Sequence, residues 1–201
     1  MHAFHARAVL SALFAVAGLP RPSVAQWAVA AEIGSARFWG ASAEIGGRHS
    51  FRPYRPTVVG VGLAYSRGGV GVGLRFQYAG SSLALEGDDA VVAAKGALDV
   101  YGISPEIALG VTRLGPASRV RLYAGPLLEL WKLAGQTSHL RLGVSAALGL
   151  DVPLGNRLAG NMRAGMAVTP ASPFAREDLD PSFEPRALWR RTLSASLTYR
   201  L

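Results

Sequence analysis

Nine charged side chains alternate with small and apolar residues, and they could form ion pairs inside a closed structure. They are Glu32, Arg75, Glu106, Arg121, Glu129, Arg141, Asp151, Arg163 and Arg200. A buried charge without a partner is costly, and an arginine guanidinium can join two carboxylates, so mutual pairing is the expected arrangement. A connected row of such groups could instead form a narrow path for protons or ions. The residues alone leave both interpretations open.

Residues for catalysis or metal binding are scarce. Beyond the first 25 residues the chain has only His49 and His139, and it has no cysteine. Catalysis by a nucleophile needs a base beside it, and the Ser, His and acid positions match no hydrolase pattern. The glycines in VGVG keep a period of two, which favours strands over a phosphate-binding loop. The sequence therefore predicts no catalytic residue, no cofactor and no metal site.

The elements that would position the charges are strands. Between Leu193 and Leu201, apolar residues occupy every second position and Ser, Thr and Arg occupy the others. A period of two indicates a β-strand with one apolar and one polar face. Seven earlier segments alternate in the same way: WAVAAEIG, TVVGVGLAYS, VGVGLRFQYA, LDVYGISPEIALGVTR, RVRLYAGPLLELWK, HLRLGVSAALGLDV and RLAGNMRAGMAVT. The pattern predicts an all-β protein, an eight-stranded antiparallel transmembrane β-barrel.

The lengths of the connections support a barrel in a membrane. Short connections (SRGG, RLGPASR and PLGNR) alternate with long ones at residues 41–56, 81–97 and 170–187, and LAGQTSH is intermediate. Transmembrane barrels have short periplasmic turns and long extracellular loops. Pro105 and Pro126 lie inside two segments, and because proline removes a ladder donor, a bulge is expected at each.

Strand direction sorts the nine inward charges into three layers. Glu129 and Arg141 fall near the loop end, where we expect them to pair across a hairpin. Glu32, Arg75, Glu106 and Arg163 fall near the middle, and Arg121, Asp151 and Arg200 fall near the turns. An eight-stranded barrel has an interior that side chains can just fill. The layers therefore predict a lumen filled by side chains and ion pairs.

Residues 1–25 have the features of a cleaved secretory signal. A basic start is followed by the apolar run AVLSALFAVAGL, with Ser23 and Ala25 at the −3 and −1 positions of a cut after Ala25. The remaining residues, 26–201, are predicted to form a single barrel domain. The pI of 10.6 arises almost wholly from scattered arginines. Without a run of like charges, and with an export signal, this basicity argues against a nucleic-acid partner.

The eight alternating segments and the sorted connections resemble those of the small eight-stranded outer-membrane barrels of Gram-negative bacteria, the OmpA/OmpX type. The resemblance covers the whole mature chain and lies in pattern rather than in a motif. It implies the bacterial outer membrane as location and the barrel-assembly machinery as a partner during biogenesis. That machinery commonly reads a C-terminal aromatic residue; this chain ends in Leu201, with Tyr199 two residues earlier.

Two predicted outer loops carry charge. GRHSFRPYRP places Arg48, Arg52 and Arg55 beside two aromatic residues, and arginines on the outer surface could bind lipopolysaccharide phosphates. The other interpretation is a solvated loop with an aromatic girdle. FAREDLDPSFEPR is acidic through Glu177, Asp178, Asp180 and Glu184, but its spacing is not that of a calcium loop.

These observations together predict a non-catalytic, monomeric outer-membrane barrel with a structural or surface-interacting role. One alternative is a narrow porin-like channel for small solutes or ions. Another is a lipid-modifying outer-membrane enzyme.

Overall fold

The computed structural model describes residues 26–45, 50–67, 69–86, 91–115, 118–134, 138–172 and 181–201. Its strands are β1 (Trp27–Glu44), β2 (Ser50–Arg67), β3 (Val70–Glu86), β4 (Val91–Leu114), β5 (Ser118–Leu133), β6 (His139–Pro153), β7 (Leu158–Thr169) and β8 (Phe183–Arg200). Each strand pairs antiparallel with the next, and β8 returns to β1, so the sheet closes into a barrel. The predicted signal, residues 1–25, lies outside the described residues. Within them, no helix has the length and apolar character needed to cross a bilayer.

Strand alternation sorts the side chains onto two faces, as predicted. On β6, Leu142 is 69% exposed and Leu148 is 55% exposed, whereas Ala147 between them is 7% exposed. The outward face is consequently a band of Val, Leu, Ile and aromatic side chains without protein neighbours above them. The inward face carries the charged and small residues. An apolar outside around a polar inside is the arrangement that suits a barrel surrounded by lipid.

The two ends of the barrel differ in their connections. At the turn end, residues 68–69, 115–117 and 154–157 join the strands. At the link end, residues 45–49, 87–90, 134–138 and 170–182 join them. The predicted long connections at 41–56 and 81–97 are wrong in extent, because most of these residues belong to paired strands.

Bulges explain why those strand extensions were missed. Between β1 and β8 the register shifts between Gly40 and Ser42, where Gly40 and Ala41 both have positive φ. Similar shifts lie between Tyr54 and Thr57 in β2 and just after Ser81 in β3. A shift of one residue, as in β8 and β2, moves the side chains beyond it to the other face, so a continuous strand no longer alternates in the sequence.

The two prolines do not produce the predicted bulges. The register between β4 and β5 is the same before and after them, with Ile103 opposite Leu128 and Ile107 opposite Ala124. The hydroxyl of Ser104 donates to the carbonyl oxygen of Pro126 at 2.9 Å, which replaces a lost ladder bond. The register shift in this pair of strands lies further along, between Gly110 and Thr112.

Large apolar side chains fill the lumen in its link-end half. Seven of them are exposed by 2% or less: Phe38, Val58, Leu98, Val100, Leu127, Trp131 and Leu188. The rings of Phe38 and Trp131 meet edge to face, with centroids 5.7 Å apart. We call these seven residues the apolar plug. Because they come from β1, β2 and β8 on one side and from β4 and β5 on the other, the plug lies across the lumen.

Candidate functional site

Four charged residues form a connected chain across the middle of the lumen, and we call them the central quartet. Arg75 donates from Nε to Glu32 Oε2 at 2.7 Å and from Nη2 to Glu32 Oε1. Its Nη1 lies 3.7 Å from Glu106 Oε1. Arg163 holds the same Glu106 through two bonds, of 2.8 Å and 2.6 Å. The quartet therefore joins β1, β3, β4 and β7, with every one of its side chains at most 13% exposed.

Small neighbours make the central quartet possible. Glu32 lies opposite Gly60 in the β1–β2 register, and a Cβ at Gly60 would come within 2.7 Å of a backbone oxygen and 3.6 Å of Glu32 Oε2. The ring of Tyr123 lies beneath Arg163, with the guanidinium carbon 4.3 Å from the ring centroid. The long side chains can cross the lumen because the facing strand positions are small. The two carboxylates of the central quartet are paired with its two guanidiniums, so the quartet has no net formal charge.

Towards the link end, the predicted pair of Glu129 and Arg141 is wrong. The two residues are directly opposite in the β5–β6 register, but the carboxylate of Glu129 pairs with Arg190, Nη1 to Oε1 at 2.6 Å. Thr169 and Trp131 donate to its other oxygen at 3.1 Å and 3.3 Å. Arg141 instead donates from Nε to the backbone oxygen of Ser172 at 2.6 Å.

Arg190 is the interior charge that the sequence analysis omitted. It lies on β8, on the inward parity, and is 7% exposed. Two signals were available: it alternates with Thr192 and Ser194, and its neighbour Arg191 occupies the outward parity. Its partner Glu129 lies across the lumen on β5, a strand that does not adjoin β8. Hairpin register therefore could not identify this pair.

At the turn end the lumen opens into a cavity of about 690 Å³. Arg121 and Asp151 form an ion pair on its wall, Nε to Oδ2 at 2.8 Å, and Asn161 donates to the same carboxylate. Arg200 lines the cavity as well but is exposed at the rim. The cavity ends at the central quartet, whose four residues also line it. The lumen is thus open at its turn-end half and filled at its link-end half.

The outer surface carries two arginines at paired positions. Arg37 on β1 and Arg191 on β8 are direct partners in the register, and both are exposed. One step towards the link end, Trp39 and Trp189 stack with centroids 6.2 Å apart. The guanidinium of Arg191 lies 5.0 Å from the centroid of the Trp39 ring. We call Arg37, Arg191 and the two tryptophans the seam patch, because β1 and β8 close the barrel there.

The predicted charged loops fare differently. Arg52 lies within β2, half buried, and donates from Nη1 to the backbone oxygen of Phe38 at 2.9 Å, so it does not belong to an outer loop. The reason is the unpredicted extension of β2. Arg55 lies in the same strand, but its side chain is outside the described residues, as is Arg48. Glu184 is an exposed residue of β8. The other acidic positions of that segment, Glu177, Asp178 and Asp180, lie outside the described residues.

Of the two histidines, His139 begins β6 opposite Trp131, and His49 lies outside the described residues. Within the described ranges, His, Asp and Glu side chains form no group of three that could hold a metal ion.

Comparison with known proteins identifies the fold through structures alone. No family model matches the chain. No curated protein matches it either. Neisserial surface protein A is similar, with a TM-score of 0.62, 9% identity, and coverage of 87% of this chain and 97% of that one. The outer membrane protein OprG of Pseudomonas aeruginosa has a TM-score of 0.52 at 12% identity, over 88% of this chain and 96% of that one.

The fold is that of the small outer-membrane barrels.

Proposed function

We propose that the protein is a non-catalytic barrel of the bacterial outer membrane, closed to the passage of solutes, which works through its outer surface. The apolar outward band and the likeness to outer-membrane barrels support the membrane location. The rise from Trp27 to Arg37 along β1 corresponds to about 33 Å of strand. At the tilt usual for such barrels this is about 25 Å of height, the height of the apolar band in this class of protein.

The observation that carries the closed lumen is the apolar plug. Its seven side chains are exposed by at most 2%, and the central quartet lies between them and the cavity. An ion that crossed the barrel would have to leave its hydration shell among Phe38, Leu127 and Trp131. Transfer of an unpaired charge into such surroundings is strongly unfavourable. One observation favours the second candidate function, a narrow channel. The cavity opens the turn-end half of the lumen, so only the plug and the quartet would obstruct an ion.

Planar-bilayer recording of the refolded protein tests the closed lumen. We expect no stepwise current from the natural chain. The double variant Phe38→Ala, Trp131→Ala removes the two largest plug side chains and is expected to produce intermittent openings. Leu148→Ala, on the outward face, is the matched control and should stay silent. Steady, ion-selective steps from the natural chain would contradict the closed lumen and favour the channel.

The seam patch suggests what the outer surface binds. Like charges at directly opposed strand positions repel each other, so Arg37 and Arg191 favour an anion between them. Towards the turn end from these two arginines, the outward face is apolar, with Ile33 60% and Leu193 59% exposed. Towards the link end, Trp39 and Trp189 stack at the height where aromatic residues contact lipid head groups. Guanidiniums bind phosphate through paired, charge-assisted hydrogen bonds. The proposed occupant is therefore a phosphate group of lipid A in the outer leaflet.

Unfolding free energies in two media test this contact. In alkyl-glucoside micelles, which contain no phosphate, Arg37→Gln should stabilise the barrel by about 0.2–1 kcal/mol, because it removes the repulsion. In the presence of lipid A it should destabilise the barrel by about 1.5–3 kcal/mol, because a charged hydrogen bond is lost.

Two controls accompany this predicted reversal in the sign of the stability change caused by Arg37→Gln. Dephosphorylated lipid A should abolish it, which separates the phosphate from the acyl chains. Arg67→Gln, an exposed arginine at the turn end, should behave alike in both media. An unchanged sign for Arg37→Gln would refute the phosphate contact.

A further inference from the structure

The cavity at the turn end is lined by more arginine than acid. Its charged side chains are Arg75, Arg119, Arg121, Arg157, Arg163 and Arg200 against Glu32, Glu106 and Asp151. The central quartet pairs two arginines with two glutamates, and Arg121 pairs with Asp151. Among the described residues, no acidic side chain forms an ion pair with the other three arginines. The side chains of the lining therefore have a formal excess of three positive charges.

The three arginines of this excess come from one side of the barrel. Arg119 is on β5, Arg157 is in the β6–β7 turn, and Arg200 is near the end of β8. The backbone N–H of Arg200 donates to the backbone oxygen of Arg157 at 2.8 Å, so these two residues are neighbours. Arg157 also donates from Nη1 to the hydroxyl of Tyr199 at 3.2 Å, and because Tyr199 is on the outward parity of β8, this guanidinium is held at the rim, towards the outer face. We call the three residues the basic arc.

The opposite side of the cavity is built from small residues of β1, β2 and β3: Ala28, Ala30, Gly62, Ala64, Gly71 and Gly73. A Cβ added at Gly62 would meet only Ala30 Cβ at 3.7 Å and Leu74 O at 3.9 Å, which are ordinary contacts. The open volume thus exists because one wall lacks side chains while the other carries long cations. The cavity therefore has arginine hydrogen-bond donors along one wall and small residues along the other.

At the inner end of the cavity, one buried donor lacks an acceptor. Arg163 is 10% exposed at its side chain, and its buried Nε has no hydrogen-bond partner among the described residues. Both of its Nη atoms are occupied by Glu106. A buried donor without an acceptor is costly, and an acceptor from a bound molecule or water would remove that cost.

We propose that this cavity binds a small soluble anion with two or more negative charges, of the phosphate-ester or polycarboxylate class, which enters from the turn end. The basic arc supplies charge-assisted hydrogen bonds, and its excess charge favours multivalent anions over chloride. The volume of about 690 Å³ suits a small molecule, and the central quartet closes the inner end, so a polymer could not thread through. This site is separate from the seam patch on the outer surface and does not depend on it.

Isothermal titration of the refolded mature chain in alkyl-glucoside micelles tests the proposal, with pyrophosphate and citrate as probes. We expect one anion per barrel and an affinity that falls as sodium chloride is raised. Arg119→Gln combined with Arg200→Gln should weaken binding by roughly tenfold or more for each arginine removed. Gly62→Leu should weaken binding without any change of charge, because its side chain occupies part of the cavity. Arg67→Gln is the control, because it removes an exposed arginine at the same end that does not line the cavity.

Circular dichroism confirms that each variant is folded before titration. The absence of a binding signal with the folded natural chain overturns the proposal. A loss in Arg67→Gln equal to that in the double variant also overturns it, because general surface charge would then explain the binding. Full binding by folded Gly62→Leu would place the anion outside the cavity and contradict the site.

Discussion

The ion pair between Glu129 and Arg190 permits a sharp test of the arrangement inside the lumen. Replacement of Arg190 by Met removes the guanidinium and leaves Glu129, whose side chain is 1% exposed, without its counter-charge. Thr169 and Trp131 still donate to one carboxylate oxygen, but neither is charged. Replacement of Glu129 by Gln keeps the shape and removes the charge. A double-mutant cycle of these two changes isolates their coupling.

The expected magnitude follows from geometry and burial. Unit charges about 4 Å apart attract by about 4 kcal/mol at the effective dielectric of about 20 that describes protein sites. Loss of one partner of a buried pair typically costs about 3–5 kcal/mol, because the remaining charge is uncompensated. We therefore expect Arg190→Met to cost about 3–5 kcal/mol. In the Glu129→Gln background it should cost much less, which gives a coupling energy of about 2–4 kcal/mol.

Urea unfolding of the protein in lipid vesicles, followed by tryptophan fluorescence, measures these energies, and Trp131 reports on the site directly. The matched control is the cycle of Glu129→Gln with Arg141→Met. Arg141 faces Glu129 in the register but donates to the backbone of Ser172, so its coupling should be under about 0.5 kcal/mol, the ordinary error of additivity. A larger coupling with Arg141 than with Arg190 would refute the arrangement of the lumen described above.

Three further outcomes are expected. Leu148→Arg places a charge on the outward face and should cost about 2–4 kcal/mol in lipid vesicles, measured by urea unfolding; a cost near zero would argue that this face does not meet hydrocarbon. Gly125→Ala should reduce the yield of folded barrel, read by the shift between folded and unfolded bands on a gel, because the new Cβ would lie 1.9 Å from the carbonyl oxygen of Pro105; normal folding would contradict the close strand contact. Mass spectrometry of the membrane-extracted protein should find Gln26 as the first residue, and a chain that starts at Met1 would exclude signal cleavage.

Where a strand has no bulge, with one face towards lipid and the other towards the lumen, the sequence predicts its position well. The segment HLRLGVSAALGLDV anticipated β6 almost to the residue, because each outward Leu or Val contrasts with an inward Gly, Ala or Ser. The same contrast placed Glu32, Glu106 and Arg163 on the inward face. Period two is a local property of the backbone, so it can be detected without knowledge of the partner strands.

Two features could not be predicted because they depend on the closed barrel. The bulge beside Gly40 and Ala41 adds one residue to β8 and reverses the parity of β8, so the start of that strand resembled a loop. The partner of Glu129 lies across the lumen, and which side chains meet there is set by the tilt and stagger of all eight strands. The register of one hairpin gives only the adjacent neighbour, here Arg141, and lacks the information that selects Arg190.

The extension of the strands beyond the apolar band determines how the links are presented. On β4 the outward apolar residues run from Tyr101 to Val111, whereas the strand begins at Val91 and remains paired with β3 up to Glu86. The segment before Tyr101 adds about 33 Å of strand, or about 25 Å of height above the lipid boundary. The links are therefore carried by the paired strand ends that extend beyond the apolar band, which we call the collar. A partner that docks on this collar meets strands that are already ordered, so binding there loses little conformational entropy.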